Sequence, residues 1–342
     1  ATVGYSRVHV GVHHVSDVVA GAALGAGIAL ATQRWWPVRR AEPSRVRENV
    51  PTPALPAGKG LVVVVNRRSG PDDNDGEPIR ARLPEAELVE LDEDVDIAAA
   101  LAGRAAAARA FGAVGGDGTV AAAAAAALRH GLPLAVFPAG TFNHFARDVG
   151  VESLDDTVRA VEAGEAVAVD VAVVNGVPFL NTAVIGAYPE MVHRRSELDS
   201  KIGKWLAMAV AAGQVLHRQQ PLRLTINGEP AEVWTLFVGN GRYHSRGPAP
   251  AWRPRLDDGW LDVQYLRADA RYSRTRTVLA TVAGLAERSS VYRSRLVTAL
   301  RVESRDGPVA VARDGEWGSK AASFEFAKLP GTLVIFRPTG SA

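Results

Sequence analysis

Six consecutive residues, Gly115-Gly116-Asp117-Gly118-Thr119-Val120, carry the sharpest chemical signal in the chain. Glycine lets the backbone take positive φ or approach a ligand closely, and a helix that starts here aims its first amides at phosphate oxygens. Asp117 does not belong in a simple anion site. A carboxylate among phosphates makes sense when a divalent cation lies between them, or when it orients the group being transferred. Two further loops have the same polar character: Asn66-Arg67-Arg68-Ser69-Gly70, and the stretch PAGTFNHFARD from Pro138 to Asp148. Gly140, Thr141 and Asn143 can donate or accept hydrogen bonds at short range. Each loop taken alone would pass for a turn, and Asp-Gly is a common turn dipeptide. Together they describe a polar nucleotide site.

The elements that must position these loops are legible as periodic runs. LVVVVN (Leu61 to Asn66) is a continuous β-branched run of the kind buried on both faces of a parallel sheet. AFGAVGG and PLAVFPAG are further strands, with helical stretches between, so each polar loop leaves the carboxyl end of a strand. That edge is where open α/β sheets bind ligands. The alanine-rich segments Ala98 to Ala110 and Ala121 to Ala127 read as helices that pack closely on the sheet. After about Ala166 the texture changes to short strands broken by Gly, Asn and Asp turns, the pattern of an antiparallel β-sandwich. Two helical insertions interrupt it, around Glu190 to Arg218 and Arg274 to Arg288. The reading is a doubly wound α/β domain over residues 59–165 and a β-sandwich over 166–342, whose last strand is free to return to the first domain. A Pro- and Gly-rich linker spans 41–58, and residues 1–40 form a separate piece.

Composition limits what these domains do. The chain has 342 residues, 47% hydrophobic content and no cysteine, so disulfides, thiolate metal sites and cysteine nucleophiles are excluded. A net charge of +2 and the lack of a basic stripe interleaved with aromatics give no reason to expect a nucleic-acid partner. Ala1 opens the chain and its methionines are Met191 and Met208, so it reads as a processed product or a fragment. The 15-residue uncharged run Val18 to Thr32 ends in Gln33, Arg34, Trp35 and Trp36, flanks suited to a membrane interface. A bilayer crossing takes about 20 apolar residues, so this run is either a short membrane helix or a buried one. Arg194, Arg195, Lys201 and Lys204 beside Trp205 suit either anionic lipid or a solvated helix face.

In the order of its motifs the chain resembles the diacylglycerol kinase catalytic family, which includes bacterial lipid kinases and sphingosine kinases and is related in fold to NAD kinases. The resemblance runs from about Lys59 to Pro338 and takes in NRRSG, GGDGTV, PAGTFNHFARD, the strands around Asp170 and Asn181, VGNGRYHSRG, LDDGWLDV and Asp314-Gly315-Glu316. It implies an NAD-kinase-like α/β domain followed by the sandwich, and transfer of the γ-phosphate of ATP, with Mg²⁺, to a lipid hydroxyl, first of all that of diacylglycerol. By the same resemblance Asn66, Ser69, Gly70, Gly115, Gly116, Gly118, Thr119, Gly140, Thr141 and Asn143 hold nucleotide. Asp117 serves the transfer, and Glu316 is the general base. Read without the family, ARDGEWG is an ordinary hairpin turn. Asp257 and Asp258 resemble an acidic pair that binds a structural Mg²⁺ in bacterial members, and an Asp-Asp-Gly turn competes with that reading. Arg67 stands where the family more often has proline.

The first 40 residues hold a second resemblance, to the last catalytic motif of the type 2 phosphatidic acid phosphatase family. Ser6, Arg7, His13 and Asp17 fit its SRx5Hx3D spacing and an apolar helix follows. His13 and Asp17 share a helix face, where a carboxylate orients an imidazole that attacks phosphorus. The family's other two motifs are missing upstream, so this remnant is expected to be inactive in the chain as given. The expected partners are a lipid substrate and a membrane, with the kinase part on the cytoplasmic side. A homodimer is compatible with this reading, as is a kinase for a soluble acceptor or a membrane-anchored binder without catalysis.

Overall fold

Alternate valines of one strand explain how the first half of the molecule is built. The computed structural model describes residues 9–10, 14–35, 43–47, 49–67, 76–91, 96–140, 143–186, 220–246, 249–282 and 286–339. In strand β1 (Leu61–Asn66), Leu61, Val63 and Val65 point to one side, while Val62 and Val64 point to the other. Both sides are covered. Helices α2 (Glu77–Arg82) and α6 (Leu154–Ala163) pack on the first face through Ile79, Leu83, Val158 and Val161. On the second face lie α3 (Ile97–Ala102), α4 (Asp117–His130) and α5 (His144–Val149), through Leu101, Ala123, Ala127 and Phe145. The alanines of α4 are small enough to bring its axis close to the sheet.

β1 pairs in parallel with β2 (Glu87–Leu91) on one side and with β3 (Ala110–Gly115) on the other, and β3 pairs with β4 (Leu134–Pro138). The spatial order β2-β1-β3-β4 reverses direction between β1 and β3. This is a doubly wound sheet, and the crevice at its switch point opens between Asn66 and Gly115.

The second half is antiparallel. Strands β5 (Glu165–Val174), β6 (Thr182–Gly186), β7 (Leu222–Ile226), β8 (Glu229–Asn240), β9 (Leu261–Arg267), β10 (Tyr292–Val297), β11 (Ala299–Ser304), β12 (Val309–Arg313), β13 (Glu316–Ala321) and β14 (Ser323–Phe336) surround one core that includes Phe179, Leu236, Val263, Phe324 and Phe326. A helix, α7 (Ser273–Val282), crosses between β9 and β10. The strands fold over their core like a sandwich, yet they are hydrogen-bonded into one continuous sheet with the parallel strands. β14 makes the join: Ala299–Glu303 of β11 and most of β5 pair with it, and Ile335 pairs with Leu134 of β4.

The amino-terminal helix α1 runs Val15–Trp35. His14 donates its backbone N–H to Asp17 at 3.0 Å, which closes the first turn. Leu24 and Leu30 are each 67% exposed. Among the described residues no helix is long and apolar enough to cross a membrane. The helix expected over Val18 to Thr32 forms. The expected helix around Glu190 to Arg218, with its basic cluster at Arg194 to Trp205, lies outside the described residues.

Candidate active site

The loop after β3 must be glycine because of what lies beneath it. A β-carbon on Gly115 would stand 2.7 Å from Thr119 Oγ1, so the strand passes directly over the first turn of α4. Thr119 Oγ1 in turn accepts from Asn66 Nδ2 at 3.0 Å, which ties the end of β1 to that turn. The first amides of an α-helix have no acceptor within the helix, and α4 presents them at this edge.

The loop after β4 closes against the same place. A β-carbon on Gly140 would come within 2.5 Å of Gly116 Cα, so only glycine allows the two loops to touch. Asn143, in the left-handed region with φ 48°, accepts from Gly140 N at 2.9 Å and donates to Gly140 O at 2.7 Å. Its side chain therefore shapes the loop. Asp117 accepts from the backbone N–H of His144 at 3.3 Å and of Phe145 at 3.2 Å, which fixes it between the starts of α4 and α5.

Glu316 arrives from the other half of the molecule. β12 and β13 form a hairpin in which Arg313 faces Glu316, with Asp314 (φ 48°) and Gly315 (φ 90°) at its tip. Two left-handed residues make the tight turn that matches strand twist. The carboxylate of Asp314 accepts from Leu180 N at 2.8 Å, Asn181 N at 2.7 Å and Thr182 N at 3.0 Å. Burial pushes the Asp314 carboxyl up, against the pull of those three N–H groups. Pinned this way, the hairpin holds Glu316 Oε1 3.1 Å from the β-carbon position of Gly118. The hairpin expected from ARDGEWG forms, and its Glu316 reaches the first turn of α4 after β3.

Asn66, Gly115, Gly116, Asp117, Gly118, Thr119, Gly140, Asn143 and Glu316 are brought together, while Ser69, Gly70 and Thr141 lie outside the described residues, as do Ser6, Arg7 and His13. Asp257 and Asp258 have other company. Asp257 accepts from Arg255 at 2.9 and 3.0 Å and from Arg47 N at 2.6 Å. Asp258 accepts from Arg242 N at 2.7 Å and Trp260 N at 3.0 Å, and lies 3.8 Å from Lys328 Nζ. Among the described residues no group of three or more His, Cys, Asp or Glu side chains could hold a metal ion. With arginine and lysine already on both carboxylates, this pair does not fit a structural divalent cation. Asp117 is different: one carboxylate beside a phosphate cradle matches the way Mg²⁺ is bound through one or two carboxylates plus substrate phosphates.

Two buried cations were not singled out by sequence reading, and the first of them ties the halves together. Arg253, fully buried, donates to Asp148 at 2.8 Å, to the carbonyls of Leu180 and Asn240 at 2.7 and 2.6 Å, and to Asn181 Oδ1 at 3.1 Å. Asp148 ends the motif PAGTFNHFARD, so the arginine anchors α5 to the antiparallel half. Lys328 is the second, and burial pushes its ammonium down to about 8, while Asp170 and Asp258 work the other way. A signal for it was present: Phe324, Phe326 and Lys328 alternate on one face of β14, which places the lysine in line with core residues.

Residues 60–174 match the diacylglycerol kinase catalytic domain family, and residues 1–41 match the PAP2 superfamily. A probable lipid kinase, YegS-like, of Pseudomonas aeruginosa is 32% identical over 241 residues, covering 66% of this chain and 76% of that protein. The lipid kinase YegS of Escherichia coli K12 is 30% identical over 166 residues, covering 45% and 55%. A putative diacylglycerol kinase from Bacillus anthracis has the same fold, with a TM-score of 0.64 at 22% identity over 82% of this chain and 98% of that one. The strand order, the glycine contacts after β3 and β4 and these relatives agree: the chain belongs to the diacylglycerol kinase catalytic domain family and is a lipid kinase.

Proposed function

We propose that the chain transfers the γ-phosphate of ATP to the primary hydroxyl of diacylglycerol, giving phosphatidic acid and ADP. The observation that carries this reading is the position of Glu316: a carboxylate from the antiparallel half stands over Gly118, in the first turn of the helix that faces the phosphates. A lipid hydroxyl is a poor nucleophile at neutral pH and needs a base within hydrogen-bond reach. The hydroxyl oxygen attacks the γ-phosphorus, the bond to the β-bridging oxygen breaks, and Glu316 takes the proton. Gly116, Gly118, Thr119 and Gly140 line the cradle with backbone amides, and Asn66 holds Thr119 in place. Mg²⁺, held by Asp117 together with the phosphates, neutralises charge on the transferring group when it is bound. The substrate places the reaction at a membrane surface, with ATP drawn from the cytoplasmic side.

The test is Mg²⁺-dependent transfer of labelled γ-phosphate from ATP to diacylglycerol in vesicles, read in the organic-extractable fraction. Label enters that fraction with the wild type, and Asp117→Ala and Glu316→Gln each lose it. Full turnover in Glu316→Gln removes the proposed base. Label carried only by water-soluble alcohols moves the acceptor from lipid to soluble hydroxyl.

The match of residues 1–41 to the PAP2 superfamily favours a second reading, in which the chain is one part of a bifunctional lipid phosphatase and kinase. Hydrolysis of phosphatidic acid that is lost with His13→Ala would show that the phosphatase motif works in this chain.

A further inference from the structure

We propose that the ammonium of Lys328 is a built-in cation within the antiparallel half, standing where the resemblance implies a structural Mg²⁺. The lysine side chain is 1% exposed. Its Nζ donates to Asn240 Oδ1 at 2.6 Å, and lies 3.4 Å from Asp170 Oδ2 and 3.8 Å from Asp258 Oδ1. Three oxygens from three separate segments, β5, the end of β8 and the loop before β9, converge on one nitrogen. An ammonium offers three donors and no acceptor, so it matches that set.

The surroundings fix the oxygens in place. Asn240 Nδ2 donates to Asp170 O at 3.0 Å and Leu180 O at 2.8 Å, which turns its Oδ1 toward Lys328. Asp170 is held from both sides, Oδ2 by Gly259 N and Oδ1 by Gly331 N, each at 2.8 Å. The lysine backbone is fixed too, its N–H donating to Thr298 O at 3.0 Å. Neighbouring Asp257 is neutralised separately by Arg255. A divalent ion entering here would have to displace a buried ammonium from the three oxygens it already faces, and uncompensated buried charge is strongly unfavourable. The site is thus provided for by the chain itself, and any need for Mg²⁺ is confined to the nucleotide. This inference does not depend on which hydroxyl accepts the phosphate.

The experiment is thermal unfolding of the full chain, free of nucleotide, in MgCl₂ and in EDTA. Wild type is expected to show the same midpoint in both. Lys328→Ala is expected to unfold earlier in EDTA and to recover by about 5 °C in MgCl₂, because two carboxylates and an amide oxygen now face an open space. A wild-type midpoint that rises with Mg²⁺ and loses that rise in Asp258→Asn overturns the proposal. A folded Lys328→Ala variant indifferent to Mg²⁺ overturns it equally. Should Lys328→Ala not fold, the bound Mg²⁺ content of nucleotide-free wild type and Asp258→Asn decides: equal content supports the built-in cation, and an extra ion per wild-type chain refutes it.

Discussion

Glu316 and Gly118 meet across the crevice, Oε1 lying 3.1 Å from where a β-carbon on Gly118 would be. The first turn of α4 and the hairpin that carries the carboxylate are therefore fitted to each other through a missing side chain. Gly140 and Gly116 meet in the same way, but there both neighbours are backbone.

That contrast separates two variants. Gly118→Ala needs only the far end of a glutamate to give way, so nucleotide affinity should stay within about twofold while kcat falls about tenfold through misplacement of the base. Gly140→Ala drives a β-carbon to 2.5 Å from a backbone atom, and the two loops must part. Its ATP affinity should fall by tenfold or more, on the order of 1.4 kcal/mol. Calorimetric titration with ATP and steady-state rates on both variants check the split, and equal effects on kcat and affinity would contradict it.

Arg253→Met should destabilise the protein by about 3–5 kcal/mol, since Asp148 and two carbonyls lose a buried partner. Adding Asp148→Asn should return part of the loss by removing the stranded charge. Urea unfolding of the two single variants and the double variant measures the coupling. Strict additivity would mean that the ion pair does not join α5 to the antiparallel half.

Asp262 is 2% exposed and accepts from Tyr243 N, Gln264 and Ser294. Burial pushes its carboxyl up, and those hydrogen bonds only partly oppose it. The folded protein therefore holds this proton more tightly than the unfolded chain does. Its stabilising contribution is complete below about pH 4 and is lost as pH rises through the folded value. Asp262→Asn lacks that term, so its stability relative to wild type should improve from pH 4 toward pH 7. Parallel unfolding curves at the two pH values with an unchanged difference would refute the assignment.

GGDGTV was legible because a β-branched run stops and an alanine-rich helix starts around it, and such a switch at a strand's carboxyl end has few structural solutions. The Asp314-Gly315 turn was legible for the same local reason. Asn143 carries a different lesson: its polarity promised a ligand contact, and its amide is engaged with Gly140 of its own loop. Short polar side chains serve turns as readily as ligands. Arg253 gave no signal, because its partners Asp148, Leu180 and Asn240 come from three distant parts of the chain, and no periodic pattern marks such a convergence. Val18 to Thr32 was read as helix correctly, because its many alanines and leucines favour that conformation.

β14 belongs to both halves, and this shapes how the molecule can be made. Until Ser323–Phe336 has left the ribosome, β11 is paired only with β7, β5 only with the short segments 49–51 and 177–179, and β4 keeps an open side. Unpaired edges of this kind seek other strands. A nascent chain stalled before residue 323 holds the glycine loops and the Glu316 hairpin yet cannot close its sheet, so the two halves complete their pairing together.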